Sequence, residues 1–170
     1  MSRQSGLQIS WLARLTQARE DAGMSRRSDD LVARLRALDA SDFDLENLEG
    51  RGDELLLDIC ESASAQGLVL ECAPAMFEVM ERLDSSDLGS PGPLVHTLES
   101  VGSGYQPYLE VSVRRKPSPL ALWMVNRVLN SNPGDRELWL ELLRLSVSHP
   151  LAGDAARQEA REFLAFQLQS

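Results

Sequence analysis

The stretch LALWMVNRVLNSNPGDRELWLELL, residues 120–143, carries the clearest structural pattern in the chain. Two apolar runs, which together contain two Trp, one Met and seven Leu, flank the turn formers Asn-Pro-Gly-Asp. The first run is apolar on all sides from Leu120 to Val125, which predicts a central helix covered by its neighbours. A second helix follows the turn, with either Asn132 or Asp135 as its N-cap.

Two polar residues, Asn126 and Arg127, interrupt the first run, so the helix could be either an active-site helix or one layer of a stack. Val125, Val128 and Leu129 continue the buried face around them. We therefore expect the two polar side chains at a seam or at the surface, where Arg127 could tie neighbouring helices together. On this interpretation the stretch is a packed layer of a scaffold.

The composition of the whole chain predicts an all-α fold. It has 29 Leu against 10 Val, 2 Ile and 2 Thr, and β-branched residues are the ones that favour strands. The length of 170 residues predicts a single helical domain over 1–170. Apolar periodicity predicts about eight or nine helices, arranged as a right-handed stack of antiparallel helix pairs similar to HEAT repeats. An irregular helical bundle is the alternative.

Several boundaries follow from caps and breakers. The first helix is predicted over residues 7–22 with Gly23 as its C-cap, and the second begins after Ser28 as N-cap. Pro74 fits the first turn of a later helix, and the segment 67–76 before and around it is the one place where a short extended stretch is conceivable. The turn formers of residues 84–93 predict a loop that exposes its aspartates.

Two leucine stripes are also predicted as buried faces of helices. The first, in a helix that opens at Asp53 and Glu54 and stops at Gly67, comprises Leu55, Leu56, Ile59 and Ala63. The second, in the helix after the turn at 131–135, comprises Leu138, Leu142 and Leu145, with Trp139 and Leu143 alongside.

The sequence carries no motif of a nucleotide-binding loop, a zinc protease or a serine hydrolase. His96 lies between apolar residues and is expected to be semi-buried and hydrogen-bonded, while His149 is expected to cap a helix end. Cys60 and Cys72 lack metal-ligand spacing and are expected to be free thiols. We therefore expect no enzyme activity, no cofactor and no metal. The sequence shows neither a signal peptide nor a membrane span, so the expected location is the cytoplasm.

The charge is concentrated in one block. Residues 39–99, which we call the acidic block, hold fifteen acids and two arginines, whereas the flanks are near neutral in a chain of net charge −9. This balance argues against direct binding of nucleic acid and favours a basic protein partner, although solubility alone is an alternative explanation. The predicted contact residues are seven acids of this block: Asp42, Asp44, Glu46, Glu49, Asp84, Asp87 and Glu99.

A family resemblance covers about a third of the chain. It is carried by Pro93-Leu94-Val95-His96, Tyr105, Leu109, Arg115-Lys116-Pro117, Trp123-Met124-Val125-Asn126-Arg127 and Asn130. In these residues the sequence resembles the helical immunity proteins of bacterial polymorphic-toxin systems, such as those paired with Rhs and type VI secretion toxins. The resemblance implies a protein that binds and neutralises one cognate toxin domain.

Such toxins are often nucleases with basic clefts, and the acidic block would then meet the cleft or its entrance; contacts away from the toxin's active site are the alternative. Two other functions compete with this expectation. One is a helical-repeat adaptor for an endogenous basic protein. The other is an all-α enzyme that uses scattered carboxylates and His96, but no residue constellation meets the geometric requirements of an active site.

Overall fold

The computed structural model describes residues 23–44 and 51–169, and within them the chain is helical with no strand. Eight α-helices and two 3-10 helices make up this part of the protein. The α-helices are α1 (23–37), α2 (Gly52–Gln66), α3 (Val69–Arg82), α4 (Gly92–Glu99), α5 (Gln106–Arg115), α6 (Pro119–Asn130), α7 (Arg136–Val147) and α8 (Asp154–Gln169). The all-α prediction is confirmed. The helix predicted over residues 7–22 lies outside the described residues.

The helices pack mainly on their neighbours in sequence. Helix α3 contacts α2, α4 and α5, while α7 contacts α5, α6 and α8. Among the even-numbered helices, α2 packs on α4 and α6 packs on α8. Among the odd-numbered helices, α5 packs on both α3 and α7. Contacts that fall mainly on the next helix or the one after, with α3–α6 as an exception, are typical of a stack of helix pairs. The right-handedness of that stack stays a prediction.

One continuous core joins the described helices. Met76, Phe77 and Met80 of α3, together with Leu83 at its end, are buried almost completely. Helix α6, the first half of the 120–143 stretch, lies against α3, α5, α7 and α8 and is central, as its apolar composition predicts. Methionine and leucine fill this core because their unbranched side chains suit helices and adapt to irregular gaps.

The predicted break between the first two helices is wrong, because α1 is helical from Gly23 through Ser28 to residue 37. Gly23 lacks the positive φ of a left-handed cap. The hydroxyl of Ser28 donates to the carbonyl of Ser25 (2.9 Å) inside the helix, so it does not accept from a backbone N–H as an N-cap would.

The prediction around Pro74 is also wrong, since α3 begins at Val69 and leaves no room for an extended segment. Pro74 is therefore the sixth residue of the helix and lies inside it. Its missing N–H cannot bond the carbonyl of Leu70, four residues earlier. The buried residues on both sides of Pro74 keep the helix continuous, so tertiary packing overrides the local preference.

Each of the two predicted leucine stripes includes one residue that is exposed rather than buried. Leu55 of α2 is 42% exposed and Leu145 of α7 is 42% exposed, whereas Leu56 and Trp139 are buried. In α7 the buried face is centred on Trp139, Leu142 and Leu143, because α8 and α6 cover that side. The predicted stop at Gly67 is correct, since this residue ends α2 with φ of 68°. Of the two candidate caps of α7, Asp135 rather than Asn132 precedes the helix, and its side chain accepts from the Trp139 indole (3.0 Å) instead of a backbone N–H.

Candidate functional site

Of the seven predicted contact residues, the acids near the start of the block have local roles or lie outside the described residues. Asp42 accepts from the backbone N–H of Asp39 (2.7 Å) and closes a capping box on the 3-10 helix Ala40–Phe43. Asp44 is exposed just after that helix. Glu46 and Glu49 fall outside the described residues.

Two further predicted acids are paired with basic residues. Glu99 at the end of α4 accepts two hydrogen bonds from Arg127 of α6, at 2.6 and 3.0 Å. Arg127 also lies 4.8 Å from the ring centre of Trp123, so it ties α6 to α4 as the sequence predicted. Asp84 pairs with Lys116 (2.9 Å) and is half-buried, which corrects the expectation that it is exposed.

Other acids of the block are matched by cations from the flanking segments. Asp58 of α2 pairs with Arg34 (2.6 Å), and Glu78 of α3 pairs with Arg36 (3.1 Å). Both arginines belong to α1, which packs over the block. The negative charge that the sequence places in the acidic block is therefore partly neutralised within the molecule, because arginines from another segment of the chain pair with these acids.

The most buried carboxylate of the block is Glu81 of α3, 8% exposed. Its oxygens accept from the hydroxyl of Ser112 (2.6 Å) and from two nitrogens of Arg115 (2.9 Å each). Lys116 donates to its backbone carbonyl and pairs with Asp84. We call these five residues the Glu81 cluster. Its donors satisfy both oxygens of the buried carboxylate, so the cluster joins α3 to α5.

A different arrangement surrounds the loop between α3 and α4. Two recesses share Asp87, Leu88 and Gly89 of this loop as a common wall. One, of about 130 Å³, is closed by Leu120 and Trp123 of α6; we call it the Trp123 recess. The other, of about 280 Å³, is closed by Leu57 of α2 and Pro93 of α4; we call it the Leu57 recess. Together they form the acidic groove.

The groove is acidic because its described lining includes four carboxylates, those of Asp53, Asp84, Asp87 and Glu159, and no basic side chain. Asp84 alone among these has an ion-pair partner, Lys116 of the Glu81 cluster. All four even-numbered helices contribute to the walls, so the groove runs along one side of the stack. Four carboxylates beside apolar side chains make a surface suited to groups that are both cationic and aliphatic.

The loop holds its shape through Asp87 and Gly89. The side chain of Asp87 is exposed, and it accepts from the N–H of Gly89 (3.0 Å), which fixes the turn. Gly89 has φ of 81°, and a Cβ there would lie 2.7 Å from the Cα of Gly92. Glycine is therefore required, and the loop is a formed wall of the groove.

The surroundings of Glu159 affect its ionisation. Partial burial on α8, and then the nearby charge of Glu162, raise the pKa of the Glu159 carboxyl. A carboxylate that has lost water without gaining a cation would be stabilised by an arriving positive group. Sequence reasoning missed this residue, because nothing in the local pattern of α8 distinguishes it from its exposed neighbours.

The sequence analysis also did not identify the apolar residues that form the walls of the groove, although the positions of two of them, Leu57 and Leu88, are unusual in the sequence. Leu57 is an apolar residue outside the stripe of Leu56, Ile59 and Ala63, on the polar side of its helix. Leu88 is the one apolar residue within a segment of turn formers. An apolar side chain that no stripe explains is a useful indication of a recess at the surface.

The histidines and cysteines offer no catalytic geometry. His96 is exposed, contrary to expectation, because it lies on the outer side of α4. His149 follows the end of α7 and bridges to α5: one ring nitrogen lies 3.1 Å from the carbonyl of Arg114, and the other accepts from the N–H of Leu151 (3.2 Å). Both cysteines are buried and free, as predicted, and burial raises the pKa of Cys60 to about 11, so its thiol stays protonated at neutral pH.

In the described part of the chain, no group of three or more His, Cys, Asp or Glu is placed to hold a metal ion. Over the same residues, no helix combines the length and apolar character that a bilayer crossing requires. A comparison of the sequence and the fold with known protein families, characterised proteins and solved structures finds no significant match.

Proposed function

We propose that this protein is a non-enzymatic immunity protein that binds and neutralises a basic, cytoplasmic-acting toxin domain, and that the acidic groove is its contact surface. The observation that carries the proposal is the groove lining, which presents four carboxylates and several apolar side chains with no basic residue among the described ones. The predicted contacts Asp84 and Asp87 both belong to this lining.

Physical chemistry favours a binding role for such a surface. Unopposed carboxylates steer a basic partner and raise its association rate, while the apolar walls contribute affinity once water is displaced. The rest of the molecule supplies a rigid frame, since ion pairs and a continuous core join α1 to α8. A preformed surface loses less conformational freedom on binding, which strengthens association.

The sequence resemblance to immunity proteins of polymorphic-toxin systems supports the same proposal. Two of the segments that carry it, Arg115-Lys116-Pro117 and Trp123 to Arg127, contribute residues to the Glu81 cluster and the Trp123 recess. A toxin with a basic cleft, such as a nuclease, would complement the groove in charge. Either occlusion of its active site or binding beside it would then neutralise the toxin.

Co-expression tests the proposal. A toxin gene next to the gene of this protein is induced in cells with or without the protein, and survival and co-purification are both scored. We expect rescue and a stable complex whose association slows steeply with added salt. Loss of both rescue and co-purification with every neighbouring toxin domain would exclude the proposal.

A helical-repeat adaptor for an endogenous basic protein is the second candidate. It is favoured by helix packing that falls mainly on the next helix or the next but one, since stacks of this kind present long binding surfaces. Pull-down with the intact protein separates the two functions. An adaptor captures a housekeeping partner in cells that lack any neighbouring toxin gene.

A further inference from the structure

The two recesses of the acidic groove differ in chemistry. In the Trp123 recess, Leu120 and Trp123 provide apolar walls, and Asp84, Asp87 and Glu159 provide carboxylates. In the Leu57 recess, Leu57, Leu88 and Pro93 provide the apolar walls, and Asp53 and the shared Asp87 contribute carboxylates. Each recess therefore favours a different kind of side chain.

The Trp123 recess matches a lysine or arginine side chain. Such a side chain has an aliphatic stem that packs on apolar walls and a charged head that needs carboxylates. Trp123 and Leu120 are both half-buried and can contact the stem, while Asp87 and Glu159 can accept from the head. The raised pKa of Glu159 is consistent with this, because the group lacks a cation that would lower it.

The Leu57 recess matches an aliphatic side chain. Leu57 is 48% exposed, and covering its side chain together with Leu88 and Pro93 would remove apolar surface from water. Because the segment Asp87 to Gly89 separates the two recesses by the width of one loop, one short stretch of polypeptide can occupy both.

We propose that the acidic groove recognises one short basic–aliphatic segment of its partner, with a lysine or arginine side chain in the Trp123 recess and an aliphatic side chain in the Leu57 recess. This assignment rests on the proposed function and adds the two types of partner side chain that the groove would bind. A second copy of the chain is a poorer occupant, because a net charge of −9 on each molecule opposes association through an acidic surface.

A peptide array tests the assignment with the intact protein. Short peptides of Gly and Ser carry one arginine and one leucine at every spacing that an extended or a helical segment allows. Matched peptides replace the arginine by glutamine or the leucine by serine. The best binder is then labelled and titrated by fluorescence anisotropy. We expect binding only where both residues are present; an array without any bound peptide overturns the assignment.

Variants of the groove and matched controls locate the contacts. Asp87→Asn combined with Glu159→Gln should weaken the labelled peptide roughly tenfold, since two carboxylates facing the cation are lost. The same change of charge elsewhere, in Glu61→Gln combined with Glu71→Gln, should leave binding within roughly twofold, because both residues are exposed and outside the groove lining. Equal loss in both double variants would show a diffuse charge effect and overturn the assignment.

Leucine substitutions test the second recess. Leu57→Ser should weaken binding roughly fivefold and abolish the preference for leucine over serine in the peptide. Leu55→Ser is the matched control, because Leu55 has similar exposure but lies on the opposite flank of α2. An unchanged leucine preference in Leu57→Ser overturns this half of the assignment.

Two outcomes separate the assignment from the proposed function. If toxin rescue survives Asp87→Asn with Glu159→Gln while peptide binding is lost, the protein is an immunity protein that uses another surface, and the assignment falls. If peptide binding holds but no neighbouring toxin is neutralised, the groove is a basic-segment site of an adaptor. Concentration-dependent dimers that the double variant dissolves would identify a second copy as the occupant and overturn the assignment.

Discussion

The Glu81 cluster and the acidic groove lie next to each other and both contain carboxylates, but only the cluster contains cations that pair with them. In the cluster, Glu81 receives hydrogen bonds from Ser112 and Arg115, so its charge is satisfied by the fold. In the groove, Asp87 and Glu159 meet no basic side chain among the described lining residues. Asp84 belongs to both, because it lines the groove and pairs with Lys116.

This difference shows why the number of acidic residues in a sequence does not give the strength of the negative electrostatic field at the protein surface. The basic end of α5 reaches the last turn of α3 and neutralises the carboxylates there, but it does not extend to the far side of the α3–α4 loop. A carboxylate that faces a cation serves the fold, whereas one that faces only apolar neighbours remains available to a partner.

The largest expected effect comes from Glu81→Ala. The substitution leaves Ser112 and Arg115 without their acceptor at the α3–α5 contact. Because hydrogen bonds to charged groups contribute strongly but Arg115 can regain water, we expect a loss of about 2 kcal/mol in the free energy of unfolding, measured by urea denaturation. Glu71→Ala, at an exposed site of the same helix, should cost less than about 0.5 kcal/mol. Equal losses of unfolding free energy in the two variants would show that the Glu81 cluster contributes no more to stability than an exposed carboxylate.

A smaller effect on stability, with a gain in binding, is expected from Lys116→Ala. Lys116 is partly exposed and pairs with Asp84 at 2.9 Å, so its loss should cost about 1 kcal/mol in the free energy of unfolding. Freed from its partner, Asp84 adds an unopposed charge to the groove. The labelled basic peptide should therefore bind more tightly, and unchanged or weaker binding would show that Asp84 does not act within the groove.

The smallest effect is expected from Glu159→Gln, through the pH dependence of stability. The folded protein raises the pKa of this carboxyl above its ordinary value of 4.5, so folding disfavours the ionised form. Its unfavourable contribution is present at neutral pH and disappears as the pH falls through the raised pKa. We expect the variant to be equally or slightly more stable than the wild type above that pKa, and this advantage should vanish in acid. Urea denaturation over a pH series measures the difference in the free energy of unfolding. A variant that is less stable than the wild type at neutral pH would contradict the unfavourable ionisation of Glu159 in the folded protein.

Much of the fold could be predicted from the sequence, because helix formation depends on local composition and periodicity. The apolar run from Leu120 to Val125 correctly predicted the central helix, and Gly67 correctly marked a helix end. The errors arose where packing overrides local preference. Pro74 lies inside α3 since the surrounding residues are buried, and Ser28 lies inside α1 although its residue type favours a cap.

The candidate site was predicted only in part. Asp84 and Asp87 were named for their charge, and the structure places both at the groove. Asp42 and Glu99, chosen for the same reason, instead cap a 3-10 helix and pair with Arg127. Glu159 was missed, because its role depends on residues more than thirty positions away in the sequence.

By itself, the sequence determined the helical class, most of the buried faces and the excess of acids between residues 39 and 99, because propensity, periodicity and charge are properties of short segments. Only the tertiary structure decided which acids pair with a cation and which line the acidic groove without one. Coulomb attraction and hydrogen bonding act over a few ångströms, and the helix packing alone sets which charges come within that distance. Lys116 thus meets Asp84, while Asp87, three residues further on, meets no cation in the described lining of the groove.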